Sequence, residues 1–250
     1  MMVELPSDIW SVIINHFTMN EVQNGALIFI SQVSKQISLI CNKHKKLLGI
    51  KSIQVKGTQF QACFASNGYL NCMIYAHENG CPWNEYTWYH AAKNGHLEIL
   101  KYAHENGCPW NEYTCHHAAK NGHLECLKYT HENGCPWNEY TCYHAAKNGH
   151  LECLKYAHEN GCPWNELTCS DAALNGQLEC LKYAHENGCP WDEKTCRYAA
   201  MNGHLECLKY AHENGCPWDS DTICSEIAWH GQLECLRYAH ENGAEWNKEV

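Results

Sequence analysis

A chain of 250 residues, 45% of them hydrophobic, can bury a core in one or two domains. No apolar run reaches the roughly 18 residues that span a bilayer. The opening Met-Met-Val-Glu-Leu-Pro-Ser-Asp also lacks a basic stretch followed by an apolar one, so a cytoplasmic protein without leader or membrane span is expected. The formal charge of −10, spread along the chain, repels phosphate backbones and argues against nucleic acid as a partner.

Taken in chain order, residues 1–42 read as a small helical segment. Pro6 suits the first turn of a helix, and Ile9, Ile13, Ile14 and Phe17 follow at helical spacing. A second apolar stretch, Ala26-Leu27-Ile28-Phe29-Ile30, leads into Val33-Ser34-Lys35 with Ile37 and Ile40 beyond. The segment resembles the F-box, whose pattern is approximately L-P-x-E-I-L-x-x-I-L-x-x-L followed by V-S-K-x-W. Leu5, Pro6, Asp8, Ile9, Ile13, Ile14 and Phe17 match its first half. Val33, Ser34 and Lys35 match the second, about five residues late, and Ile37 stands where the family prefers tryptophan. The competing reading is a helical cap over the apolar end of the array that follows. Residues 43–59 read as a connector, with Ser52-Ile53-Gln54-Val55 extended.

From about residue 60 to 250 one sentence is written seven times. Its threonines fall at Thr87, Thr114, Thr141, Thr168 and Thr195, a constant step of 27, and again at Thr222; a worn first copy keeps Asn67, Gly68, Leu70 and Cys72 in register. Such a period means a stacked solenoid, which presents a long surface rather than enclosing a pocket. Within one copy Thr114 is expected to cap a first helix running from Cys115 to Lys120, and Asn121-Gly122 to end it. A second helix is expected from Leu124 to Glu132, with Leu124, Leu127 and Thr130 on one apolar stripe and Cys126 and Tyr129 on another. Asn133-Gly134 closes it and Pro136 blocks continuation.

Three recurrent residue types invite chemistry, and each has a structural reading. The 19 cysteines are odd in number. Their positions accept Ile99, Trp88 and Ala244 in single copies, which suits small apolar volume and not a metal ligand. The tryptophans Trp83, Trp110, Trp137, Trp164, Trp191 and Trp218 are expected as core between loops. His77, His104, His131, His158, His185, His212 and His240 each fall in the last turn of a second helix, where the dipole favours positive charge and capping or packing is the expected role. A further column, His96, His123, His150 and His204, becomes Gln177 and Gln232, and is read as structural.

The copy T-C-x-x-A-A-x-N-G-H-L-E-C-L-K-Y-A-H-E-N-G-C resembles the ankyrin repeat. Thr141, Ala145, Ala146, Gly149, His150, Leu151, Leu154 and Gly161 are the matching residues, and the likeness covers about residues 60–250. The family's repeat usually runs to about 33 residues. These copies are shorter, missing most of the connecting finger and a single position of the first helix. The resemblance implies an all-α solenoid of helix-turn-helix repeats. The short repeats are similar to the expanded families of large DNA viruses, which would place the protein in host cytoplasm.

Against this constant frame a few positions vary. They are Tyr86, Tyr113, Tyr140, Leu167, Lys194 and Asp221 before the threonine, then the pairs Tyr89/His90, His116/His117, Tyr143/His144, Ser170/Asp171, Arg197/Tyr198 and Ser225/Glu226. A further position reads Lys93, Lys120, Lys147, Leu174, Met201 and Trp229. If first helices line the concave side, as the resemblance implies, these residues form a strip for a protein target, and tyrosine-rich strips favour protein contacts. The alternative is drift at unconstrained solvent positions. By resemblance, Leu5, Pro6, Ile9, Ile13, Ile14 and Phe17 dock the adaptor subunit of an SCF-type ubiquitin ligase. The chain is then read as a substrate receptor without catalytic residues, metal or cofactor. The alternatives are a scaffold without a ligase link, whose N-terminal helices are a cap, and a helical-repeat RNA reader, which the acidic charge disfavours.

Overall fold

The structure is a computed structural model that describes residues 58–245, apart from 79–81, 84 and 221. Residues 1–57, with the F-box-like segment and nearly all of the connector, lie outside the described residues. Every regular element among those described is a helix.

Two compact bodies divide the chain, one ending at Trp110 and the other beginning at Asn111. The first holds α1 (Thr58–Asn67), α2 (Leu70–Glu78), α3 (Glu85–Asn94) and α4 (Leu97–Glu105). The second holds α5 (Glu112–Lys120), α6 (Leu124–Glu132), α7 (Glu139–Lys147), α8 (Leu151–Glu159), α9 (Glu166–Leu174), α10 (Leu178–Glu186), α11 (Glu193–Met201), α12 (Leu205–Glu213), α13 (Ile223–Trp229) and α14 (Leu233–Glu241). Each repeat is a helix pair. In the second body the first helices α5, α7, α9, α11 and α13 pack in one row and the second helices α6 to α14 in another. The stacked helix-turn-helix solenoid expected from the repeat period is the architecture found.

One repeat shows why the sequence folds this way. Asn111, not Thr114, starts α5: its side chain accepts from the Tyr113 N–H at 3.1 Å while its carbonyl accepts from the Thr114 N–H at 2.9 Å. Thr114 is therefore already inside the first turn and is buried. The expectation of a threonine cap is corrected because an amide side chain three residues earlier reaches the free N–H groups first. Asn138, Asn165 and Asp192 cap α7, α9 and α11 in the same way, and Thr222 is the cap position of α13. The second helix, Leu124–Glu132, has the bounds the sequence implies, with Cys126, Leu127 and Thr130 buried. Leu124 and Tyr129, placed on apolar stripes, are half-buried.

Core volume is small and repeated. Cys115, Ala118 and Ala119 of α5 are fully buried, as are Leu127, Leu154, Leu181 and Leu208 one repeat apart. Alanine pairs let the first helices approach closely without side-chain interdigitation.

Gly122 ends α5 at φ +75°, in the left-handed region that disfavours a side chain. It also has a second constraint that the sequence did not disclose. A Cβ there would lie 2.6 Å from Nδ1 of His150, the residue that opens the second helix of the next repeat. Gly149 stands against Gln177, Gly176 against His204 and Gly203 against Gln232 in the same fashion. At Gly134, φ is +81° and nothing lies within 4 Å of such a Cβ. Gly134→Ala is thus expected to cost about 1 kcal/mol from the left-handed backbone alone. Gly122→Ala is expected to cost more, by at least a further ~1 kcal/mol, since His150 must shift. Chemical denaturation of the two variants checks this, and equal costs would show that the His150 contact is immaterial.

Candidate protein-binding face

The residues that vary between copies fall on one side of the first helices. In the second body Tyr113 is 56% exposed, Tyr140 50% and Leu167 38%, each on the residue before a buried threonine. Lys194, at the equivalent position, is also exposed, and Asp221 lies outside the described residues. The helix fixes this alternation: Thr, Cys and the alanine pair point inward, so the intervening positions point out. In the first body Tyr86 is 55% exposed, with Tyr89 and His90 half-buried on the next turn and Lys93 exposed below them.

The paired positions are less exposed and more structured than the sequence implied. His116 of α5 and His144 of α7 stack with ring centroids 4.1 Å apart, and His117 is 4.8 Å from His116. Tyr113 lies 6.1 Å from His116, and Tyr140 the same distance from Tyr143. Lys147 reaches Asp171 Oδ1 at 2.9 Å, and the Tyr143 hydroxyl donates to the same oxygen at 3.1 Å. Asp171 and its neighbour Ser170 are buried, and the Ser170 hydroxyl donates to the Leu167 carbonyl. These two members of the sequence-derived strip are covered, Asp171 by Lys147 and Tyr143, so the neighbouring side chains form its surface. Arg197 is exposed and pairs with Glu226 at 2.6 Å, while Tyr198 is half-buried.

Burial governs the two stacked rings. It lowers both His116 and His144 to about 4, helped for His116 by His144 and Lys120, and for His144 by Lys120, Lys147 and His117. In the first body burial and Lys93 lower His90 in the same sense.

The other recurrent residues build the scaffold. The last-turn His131 lies flat on Trp137, ring centroids 3.6 Å apart, with Tyr156 of the next repeat edge-on to both. His158, His185 and His212 repeat the arrangement with Trp164, Trp191 and Trp218. In the first body His77 shares a 3.0 Å hydrogen bond with the Tyr102 hydroxyl. The tryptophans are therefore half-buried, each flat on a histidine and edge-on to the next repeat's tyrosine, and not fully buried core. Burial lowers the His131 pKa, against a smaller opposing pull from the Glu132 carboxylate. In the first body the other histidine column supplies His96, whose Nε2–H donates to the Ser66 carbonyl at 3.1 Å.

Cysteines tie successive loops. The thiols of Cys135, Cys162, Cys189 and Cys216 donate to the carbonyls of Asn111, Asn138, Asn165 and Asp192 at 3.1–3.3 Å. The positions that held Trp88, Ile99 and Ala244 are buried, as the small-apolar reading requires. Burial pushes Cys126 and Cys180 up to about 12 and Cys153 and Cys207 up to about 11. Among the described residues no group of three or more His, Cys, Asp or Glu could hold a metal, and no helix is long and apolar enough to cross a membrane.

Family models described as ankyrin repeats match residues 88–168 and 115–183 in one form and 169–212 in another. The chain belongs to the ankyrin-repeat family. A solved structure with the same ankyrin fold is the human ASB11 ankyrin repeat domain, at a TM-score of 0.60 and 17% identity, covering 72% of this chain and 96% of that one. At that identity the likeness is one of fold. Comparison with the curated proteins finds no match. The matched ankyrin segments begin at residue 88, beyond Leu5, Pro6, Ile9, Ile13, Ile14 and Phe17, which lie outside the described residues.

The candidate face was legible as variation against a constant repeat. Its lysines were legible too, but the ion pair of Lys147 with Asp171 of the next repeat was not.

Two outcomes are expected. An unfolded histidine takes up a proton near pH 6.5, whereas His116 and His144 do so near 4, so between these values the unfolded chain binds more protons. Stability is therefore full above about pH 6.5 and falls as pH drops towards 4. Thermal unfolding from about pH 7.5 to about pH 5 should show the decline, and a His116→Gln/His144→Gln variant should decline less. Alkylation by iodoacetamide at neutral pH should leave Cys126, Cys153 and Cys180 unmodified in the folded chain and modify them in denaturant. Rapid labelling of the folded chain would contradict their burial.

Proposed function

We propose that this ankyrin-repeat chain is a binding scaffold whose first-helix face holds a protein target. The observation that carries this is the set of large, exposed tyrosines, Tyr113 and Tyr140 in the second body and Tyr86 in the first, on helices whose threonine and alanine pair are buried on the other side. A half-exposed tyrosine buries much area at low cost in rotamer entropy and can hydrogen-bond, which is what a protein contact rewards. His117, Lys194, Arg197, Leu167 and Tyr198 widen the surface.

The fuller reading is a substrate receptor of an SCF-type ubiquitin ligase. It rests on the F-box-like pattern of Leu5, Pro6, Ile9, Ile13, Ile14 and Phe17. On this reading the N-terminal segment docks the ligase adaptor, and the chain supplies proximity, with chemistry left to other subunits. The second reading, a scaffold whose N-terminal segment is only a cap, has in its favour that the end of any repeat array must be covered.

Co-purification of the intact chain with the ligase adaptor, beside a variant carrying Leu5→Ala, Pro6→Ala and Ile9→Asp shown by circular dichroism to remain helical, separates the two. Binding by the wild type alone supports the receptor; absence of binding by either leaves the scaffold. For the face itself, cross-linking in cells should give a partner adduct that a Tyr113→Ser/Tyr140→Ser variant loses by about tenfold or more. An undiminished adduct would put binding elsewhere.

A further inference from the structure

Helices α5 and α7 lie side by side, and the C-terminal halves of their exposed sides bring basic and aromatic groups together. His116, His117 and Lys120 come from one, and Tyr143, His144 and Lys147 from the other. The His116–His144 stack at 4.1 Å joins the two sets. Lys147 Nζ sits 5.3 Å from the centre of the Tyr143 ring, and Lys120 is exposed.

The nearby carboxylate is already engaged. Asp171 of α9 accepts from Lys147 and from the Tyr143 hydroxyl. The acidic residues of the two helices themselves, Glu112 and Glu139, open the first turns. Each lies at the opposite end of its helix from Lys120 or Lys147, about 12 Å away along the axis. On the second helices Glu125 pairs with Lys128 and Glu152 with Lys155. Two lysines against one aspartate leave a local excess of positive charge on a chain whose formal charge is −10.

We propose that this spot receives an acidic segment of a partner protein, its carboxylates held by Lys120, Lys147 and the imidazoles of His116 and His144, with Tyr113 and Tyr140 flanking. This rests on the reading of the first-helix face as the protein-binding surface and names the partner's chemistry there. Burial keeps both rings neutral in the unliganded chain, helped by Lys120 at both and by Lys147 at His144. An arriving carboxylate offsets the lysine charge and supplies an acceptor, so the rings take up protons as it binds and binding tightens as pH falls. A short acidic segment is favoured over a nucleic acid by range. Charges beyond about 8 Å are screened at physiological salt, so a short segment meets the basic spot, while a long polyanion must also pass the acidic remainder.

The test is fluorescence anisotropy of the full chain with fluorescein-labelled hexaglutamate, with hexaglutamine and a hexauridylate RNA as comparison probes. Hexaglutamate should bind in preference to hexaglutamine, and Lys120→Ala should weaken it about tenfold. Lys128→Ala, which removes the same charge from α6, should leave affinity unchanged. Wild-type affinity should rise between about pH 7.5 and about pH 5.5, and the rise should vanish in His116→Gln/His144→Gln. Equal binding of hexaglutamine, equal loss in Lys128→Ala, a pH response that survives the histidine changes, or tighter binding of the RNA at the same salt would each overturn the proposal. If hexaglutamate fails while Tyr113→Ser/Tyr140→Ser still loses its cross-linked partner, the acidic-segment reading falls and the protein-binding face stands.

Discussion

The array depends on how closely one repeat can approach the next. A pair of short helices cannot bury its apolar side alone, so each repeat is stable only against its neighbours. The approach is set by what is missing: small alanine pairs on α3, α5, α7, α9 and α11, and a glycine with no side chain where the following repeat's His or Gln sits. Gly122, Gly149, Gly176 and Gly203 therefore do two things at once. They turn the chain through the left-handed region and leave the space in which His150, Gln177, His204 and Gln232 lie. So short a repeat has little loop with which to make contacts, and this close seating, with the Cys-to-carbonyl bonds between loops, supplies them.

Those inter-repeat contacts give the chemically suggestive residues structural work. Thiols raised to about 11 or 12 by burial are mostly protonated at neutral pH and are poor nucleophiles or metal ligands. His131, like its counterparts in the following repeats, is pressed between a tryptophan and the next repeat's tyrosine. With scaffold duty assigned to these columns, the capacity for recognition is left to the few positions that differ between copies.

The first-helix side, where those positions fall, is not a uniform solvent strip. Exposed tyrosines stand beside half-buried stacked imidazoles, and the Lys147–Asp171–Tyr143 cluster and the Arg197–Glu226 pair cross from one repeat to the next. Such cross-repeat polar contacts hold the side chains in place before a partner arrives, which lowers the entropy lost on binding. Charge also changes character along the row, from Lys120 and Lys147 to Leu174, Met201 and Trp229 at the same position. A face built from equivalent positions can thus differ in chemistry at each step while its backbone repeats.

Sequence alone determined the helix-turn-helix period, the bounds of the second helices, the glycine turns and the small-apolar role of cysteine. Each of these is a local or strictly periodic property, and internal repetition shows which positions tolerate substitution. It misplaced the first-helix cap, because Thr114 and Asn111 are both good caps and the choice depends on where the preceding loop delivers the chain. It read the tryptophans as core, because a large aromatic in register does not reveal that its ring packs on a histidine and a tyrosine while part of it stays in solvent. Tertiary structure decided the rest: that Asp171 is covered by Lys147 and Tyr143, that His116 meets His144, and that Gly122 must leave room for His150. These are contacts between residues about one repeat apart, fixed by how rigid helices pack and not by any preference of the residues themselves.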